Sequence, residues 1–307
     1  MSQVVVFPGQ GSQSIGMLAD LVERLPALSE RLQQGSAILG YDLRDIIYNG
    51  PEEKLNQTHI TQPAVLIVSM GLWDALPSQR KSSFFALTGH SLGEYTAMVA
   101  AGVITFEDAV KLVSLRGQFM QEAVAGLDTA MAAVLGLDDQ AVIDTCAEVA
   151  NNQCVDPVNF NCPGQVVIAG HSEAVDRAIV ALKARGAKRA VRLAVSVPAH
   201  SALMKPAARR LQEFMKTVEF RQPVTPVLQN VSAERESDPL IIRENLLRQL
   251  YSPVQWTQTI RNLQALGVSQ YLECGPGKIL SGLIRKIDKN SHVDALSEAA
   301  FWAAAEK

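Results

Sequence analysis

Cysteine is scarce in this 307-residue chain. There are four, Cys146, Cys154, Cys162 and Cys274, with no Cys-x-x-Cys pair and no metal-ligand spacing. A disulfide-stapled small fold is therefore excluded as the organising principle, and the thiols are expected to be reduced and partly buried, as in a cytoplasmic protein. Charge of one sign is also lacking: 28 basic against 31 acidic residues give a net charge of −3, too little for a chain that binds nucleic acid as a whole. No apolar run is long enough to cross a bilayer; the longest, around Ala97 to Phe106, falls well short. The opening Met-Ser-Gln-Val-Val-Val-Phe has no basic segment before its apolar stretch, so no secretory signal is expected. What remains is a chain with 48% hydrophobic and 19% charged residues, the composition of a compact enzyme large enough to bury its own core.

The stretch Thr88-Gly89-His90-Ser91-Leu92-Gly93-Glu94-Tyr95 organises the rest. It follows a short apolar segment, Ser83 to Leu87, read as a buried strand, and precedes Leu92 to Ala101, read as a packed helix. Gly-x-Ser-x-Gly between strand and helix is the nucleophile-elbow pattern, in which a sharp reversal exposes the serine hydroxyl near the amides of a helix N-terminus. Such motifs also arise by chance. A catalytic reading therefore asks the chain for a base, an oxyanion donor and a substrate anchor.

Candidates for each are present. Val4 to Phe7 reads as a strand and Pro8-Gly9-Gln10-Gly11-Ser12-Gln13 as its exit loop; the third glycine of a dinucleotide fingerprint is replaced by Ser14. The loop either carries Gln10 into a cleft as an oxyanion donor or simply joins strand to helix. Helical patterns run over Leu18 to Leu39, Leu43 to Ile47 and Thr61 to Leu76, and another starts at Thr105 as N-cap. That last helix holds Arg116 in apolar company, either as a snorkelling surface residue or as a clamp for a substrate carboxylate. His200 ends the run Ser196-Val197-Pro198-Ala199-His200 at a junction between units, a better position for a base than His59, His90, His171 or His292. No Asp or Glu stands out as a third member; Gln249 offers its side chain or its carbonyl to orient His200.

Between Ala130 and Leu193 the pattern is strand, helix, strand, strand, helix, strand, a ferredoxin-like βαββαβ unit. The expected organisation is an α/β core over 1–126 and 197–307, with this subdomain inserted at 127–196 and hinges near Gly126 and Ser196. Beyond it, Pro226 to Leu228 and Val268 to Leu272 read as strands, and Pro239 to Leu250, Val254 to Leu266 and Ile279 to Lys286 as helices.

Taken together, Phe7-Pro8-Gly9-Gln10-Gly11-Ser12-Gln13, Thr61-Gln62-Pro63-Ala64, Gly89 to Tyr95, Arg116-Gly117, Pro198-Ala199-His200 and Glu273-Cys274-Gly275-Pro276-Gly277 resemble the bacterial malonyl-CoA:acyl-carrier-protein transacylases of fatty-acid synthesis. The resemblance implies an α/β-hydrolase-like core covered by the ferredoxin-like subdomain. It implies Ser91 as acylated nucleophile, His200 as general base held by the Gln249 carbonyl, and Gln10 and Leu92 as oxyanion-hole amides. Arg116, with Gln10 and His90, would contact the substrate, Arg116 taking the malonyl carboxylate. Ala199 departs from the family's Val-Pro-Ser-His, beside the acyl pocket. Malonyl-CoA, CoA and acyl carrier protein are the implied partners, with no cofactor and no metal. Lys183 to Arg192 carries five positive charges and no acid. Lys188 and Arg189, extended by Arg285 and Lys286, are thus the expected landing site for an acidic carrier.

Overall fold

The computed structural model describes residues 2–195 and 197–305. They form a mixed α/β structure with two sheets, one of six strands in the order β10-β9-β1-β2-β7-β8 and one of four in the order β4-β5-β3-β6. The strands of the large sheet are β1 (Gln3–Phe7), β2 (Ala86–Gly89), β7 (Val227–Leu228), β8 (Arg235–Glu236), β9 (Gln270–Glu273) and β10 (His292–Ala295). All of its pairings are parallel except β7 with β8.

β1 shows why an unbroken Val-Val-Val-Phe run makes the central strand. Successive side chains point to opposite faces, and both faces are covered, so no polar alternation is needed. Val5 and Phe7 pack into a cluster with the helix Thr58–Ala75, whereas Val4 and Val6 pack with Trp256, Ile260 and Ile284 on the other face. Because β1 lies between β2 and β9, the loops leaving its carboxyl end and that of β2 open into one crevice, where parallel sheets bind their ligands.

The small sheet contains β3 (Thr129–Leu135), β4 (Val155–Cys162), β5 (Gln165–His171) and β6 (Arg189–Arg192), all antiparallel. With helices Asp139–Val149 and Ser172–Ala184 in between, the chain order is the expected β-α-β-β-α-β. Ala130, Ala132, Val134, Val166 and Ile168 face those helices, while Met131, Val158, Val167 and Ala169 form a separate apolar face. The second face looks back at the large sheet. The small sheet is also tied down: Phe160 N donates to Val254 O and Val254 N to Val158 O, at 3.0 and 2.9 Å.

Several element limits differ from the sequence reading. The strand expected from Ser83 begins at Ala86 and runs into the elbow at Gly89. The Leu18–Leu39 helix is broken, with Ala19–Val22 and Pro26–Leu39 as separate pieces, the proline opening the second. Val254 is drawn out of its expected helix by the pairing with β4, so that helix starts at Trp256. Thr105 does cap the helix Phe106–Ala123, accepting from Asp108 N. Gly126 takes a left-handed backbone, and Ser196 lies outside the described residues. All four cysteines are free. Among the described residues no helix is long and apolar enough to cross a membrane.

Candidate active site

The elbow is built by glycines that permit close approach. A Cβ on Gly89 would collide with the Gly93 backbone, and one on Gly93 with the Phe7 carbonyl. Gly9 is likewise pressed against the His90 carbonyl. These contacts lock β1, β2 and the helix Leu92–Ala100 together, and Ser91 between them takes φ 52°, ψ −110°, a strained backbone for a residue with a side chain. Asn230, just beyond β7, holds the strain: its Oδ1 accepts from Ser91 N at 2.7 Å and its Nδ2 donates to Gly89 O at 2.6 Å.

Ser91 Oγ lies 2.7 Å from His200 Nε2, and His200 Nδ1 lies 2.6 Å from the Gln249 carbonyl. A carbonyl only accepts, so Nδ1 carries the proton and Nε2 is free to accept from the serine hydroxyl. Burial, reinforced by the positive charge of Arg116, pushes the imidazole pKa down to about 3, so the ring is neutral in the resting site. The N–H groups of Gln10 and Leu92 have no acceptor among the described residues, and both residues line the same cavity as Ser91.

That cavity, about 240 Å³, lies between the two sheets. Gln10, His90, Ser91, Arg116 and His200 line it from the large-sheet side, Met131, Asn161 and Val167 from the small sheet. Arg116 is 1% exposed. It reaches the cavity because Gly117 lets its helix touch the backbone of His59, where any Cβ would clash. One Arg116 Nη donates to Gln249 Oε1 at 3.0 Å and sits 3.4 Å from Ser91 Oγ, the guanidinium rests 5.3 Å from the Tyr95 ring centroid, and its Nε has no partner among the described residues. A buried cation with a spare donor beside a hydroxyl can receive an anion.

An acyl transferase domain model matches residues 4–295. The chain belongs to the acyl transferase family. It is 51% identical over 300 residues to the malonyl CoA-acyl carrier protein transacylase of Escherichia coli K12, covering 98% of this chain and 97% of that one. The Bacillus subtilis protein of the same name is 43% identical, covering 97% and 94%. Among solved structures, the malonyl-CoA:acyl carrier protein transacylase of Xanthomonas oryzae superposes with a TM-score of 0.95 at 49% identity, over 99% of this chain and 98% of that one. A malonyl-transacylase solved with its type II PKS acyl-carrier protein gives 0.96 at 48%, over 99% of each. This acyl transferase thus brings Ser91, a neutral His200 and the buried Arg116 guanidinium together in one cavity.

Within this acyl transferase, His90 lines the cavity beside Ser91. Its Nε2 bonds Asn161 Oδ1 at 2.8 Å, its ring meets Trp256 edge-on, and burial lowers its pKa. His59 and His171 are structural, bonded to Gln121 and to Cys154 N, and His292 is exposed beside Asp294. Of the basic residues on the small sheet, Arg185 pairs with Glu148 and Arg192 with Asp176. Among the described residues Lys188 and Arg189 form no ion pair, and they stand at the start of β6, whose continuation (Leu193, Val195) lines the cavity. Lys286 donates to Gln165 on the cavity rim at 3.2 Å, whereas Arg285 is tied to the Val293 carbonyl. Sequence reasoning missed Asn230, Asn161 and Glu94. Glu94 stood in the elbow motif itself, but only the fold reveals its partners.

Proposed function

We propose that this chain transfers a malonyl group from malonyl-CoA to the phosphopantetheine thiol of an acyl carrier protein, by a ping-pong route through a malonyl-serine at Ser91. The observation that carries the reading is the Ser91–His200–Gln249 relay with Arg116 3.4 Å from the reacting oxygen. At that separation the guanidinium suits a carboxylate only a few bonds from the acyl carbonyl, as in a three-carbon diacid. The names of the relatives, and the carrier bound to one of them, support the donor and the acceptor.

In this mechanism His200 Nε2 takes the Ser91 proton as Oγ attacks the thioester carbonyl. The oxyanion is received by the N–H groups of Gln10 and Leu92. Collapse breaks the C–S bond, and His200 returns the proton to the departing CoA sulfur. The carrier thiol then gives its proton to His200, attacks the malonyl-serine, and Ser91 recovers its hydrogen. Arg116 holds the malonyl carboxylate throughout, with His90 and Gln10 on the acyl cavity. The reaction as drawn uses the chain's own groups, without metal or bound cofactor, in the cytoplasm and in the service of fatty-acid elongation. Its architecture is read as an α/β-hydrolase-like core (1–126 and 197–307) roofed by a ferredoxin-like subdomain (127–196), on the support of the strand orders above.

Intact-mass measurement after incubation with malonyl-CoA and acid quench tests the proposal. A malonyl adduct is expected that is absent from Ser91→Ala, weak with acetyl-CoA, and discharged by carrier protein. Discharge by water as fast as by carrier would make the chain a hydrolase, and an adduct that persists in Ser91→Ala would remove the nucleophile assignment.

A further inference from the structure

Glu94 is wholly buried in the first turn of the elbow helix, three residues past Ser91, and takes no part in the relay. A carboxyl in such a place is costly unless its bonds repay desolvation. Only one of its oxygens is bonded. Oε2 accepts from Gln249 Nε2 at 2.6 Å and from Asn230 N at 3.2 Å, while Oε1 has no partner among the described residues. Gln249 Nε2 also donates to Ser91 O at 2.8 Å. The amino end of the Gln249 carboxamide is therefore surrounded by acceptors, and its oxygen is left facing Arg116. A flipped carboxamide would set oxygen against Glu94 and Ser91 O, and NH₂ against the guanidinium, so every contact would turn repulsive.

We propose that Glu94 is a positioning residue: by holding the amino end of Gln249 it turns the carboxamide oxygen onto Arg116 and so sets the guanidinium for the acyl carboxylate. The inference rests on the reading of Arg116 given above. It assigns Gln249 two separate duties, the backbone carbonyl serving His200 and the side chain serving Arg116. Burial raises the Glu94 pKa to about 8, but an oxygen that accepts is present in both the acid and the carboxylate. Glutamine at this position keeps that acceptor, and methionine removes it.

The test is the initial rate of serine acylation by malonyl-CoA and by acetyl-CoA in wild type, Glu94→Gln, Glu94→Met, Gln249→Ala and the double variant Glu94→Met/Gln249→Ala. Loss of the buried bond that turns the Gln249 oxygen onto the Arg116 guanidinium predicts that Glu94→Met lowers kcat/KM for malonyl-CoA by about 10- to 100-fold, mainly through KM. Acetyl-CoA should change by no more than about threefold, since it does not use Arg116. Glu94→Gln should recover most of the malonyl preference, and the double variant should be no worse than Gln249→Ala alone. Should Glu94→Met fail to fold, Glu94→Asp, which withdraws the acceptor by about 1.5 Å, is expected to show the same selective loss in milder form. Parallel loss with both donors, or a malonyl preference that survives loss of the acceptor, overturns the inference alone. A wild-type enzyme with no malonyl preference overturns the reading of Arg116 and this inference with it.

Discussion

Ser91 Oγ and His200 Nε2 stand 2.7 Å apart although 109 positions separate them in the chain. Each is held by a residue from a third place: Ser91 by Asn230, His200 by the carbonyl of Gln249. Both also have positive φ, 52° and 67°, so both backbones are strained where the two side chains meet. Removing the base should leave the strained serine in place but without a proton acceptor. His200→Ala is expected to slow acylation by about 10²- to 10⁴-fold, measured by rapid-quench mass spectrometry, with little change in KM for malonyl-CoA. A variant that acylates at the wild-type rate would show that another group takes the proton.

Arg116 should decide which acyl group is accepted. Within the chain its charge is only partly answered, by Gln249 and the face of Tyr95. Acetyl leaves it so, whereas malonyl completes a charge-assisted pair. Breaking such a buried pair costs about 3 kcal/mol, roughly a hundredfold in rate. Arg116→Lys, which loses the fork and the match to a carboxylate, should lower kcat/KM for malonyl-CoA by about that factor while acetyl-CoA changes little. Equal losses with the two donors would mean that the guanidinium serves the fold rather than the substrate.

Stability should depend on pH through the same buried groups, with opposite signs. His200 is neutral when folded, at a pKa near 3 against an ordinary 6.5, so between those values only the unfolded chain gains its proton and stability falls as pH falls. His90, also lowered by burial, adds to that slope. Glu94, raised from 4.5 to about 8, keeps its proton when folded and loses it when unfolded, so stability falls as pH rises through that window. The two trends oppose each other between pH 4.5 and 6.5 and leave a maximum there. Urea titrations across pH should show Glu94→Gln flattening the alkaline decline from 6.5 to 8 and His200→Gln flattening the acid one. Unaltered slopes in both variants would contradict the burial argument. For activity, kcat/KM for acylation should not fall at pH 6.5, because the base remains neutral well below it.

Much of this was legible in the sequence because it is local. The elbow, the Thr105 cap and the βαββαβ order follow from glycine spacing, capping chemistry and alternation, each a matter of a few neighbouring residues. Elements set by distant contacts were not. Val254 looks helical by composition, yet β4 claims its backbone. β10 is a four-residue strand near the end of the chain whose pattern has no meaning without β9 beside it. Gln249 showed the same limit: sequence left its side chain and its carbonyl as alternatives, and the structure uses both, because Glu94 and Asn230 converge on it from elsewhere.

Carrier docking should be electrostatic and local to one rim. Arg185 and Arg192 are neutralised by their own acids, so the charge left to an acidic partner rests with Lys188 and Arg189 at the edge of the small sheet, and Lys286 across the rim. Reversing Lys188 and Arg189 to Glu is expected to raise KM for carrier protein by about tenfold in dilute buffer, with the difference shrinking in salt. Transfer to carrier at several ionic strengths measures this, alongside malonyl-serine formation from malonyl-CoA alone. A KM that stays put, or one that rises equally in high salt, would place the docking surface elsewhere.

The position of Arg116 is finally a matter of backbone contact, which gives a test that touches no polar group in the cavity. Gly117 lies so near His59 that an added Cβ would sit 2.6 Å from the His59 Cα and 2.7 Å from its N. Neither atom is the end of a flexible side chain, so Gly117→Ala must push the helix Phe106–Ala123 away from the helix Thr58–Ala75. Overpacking of this kind costs about 1–3 kcal/mol, which denaturant melts should register. The displacement also moves Arg116 from its place beside Ser91 Oγ and Gln249, so malonyl acylation should fall more steeply than acetyl acylation. A destabilised variant with an unchanged ratio of the two rates would show that Arg116 holds its place independently of the helix contact beneath it.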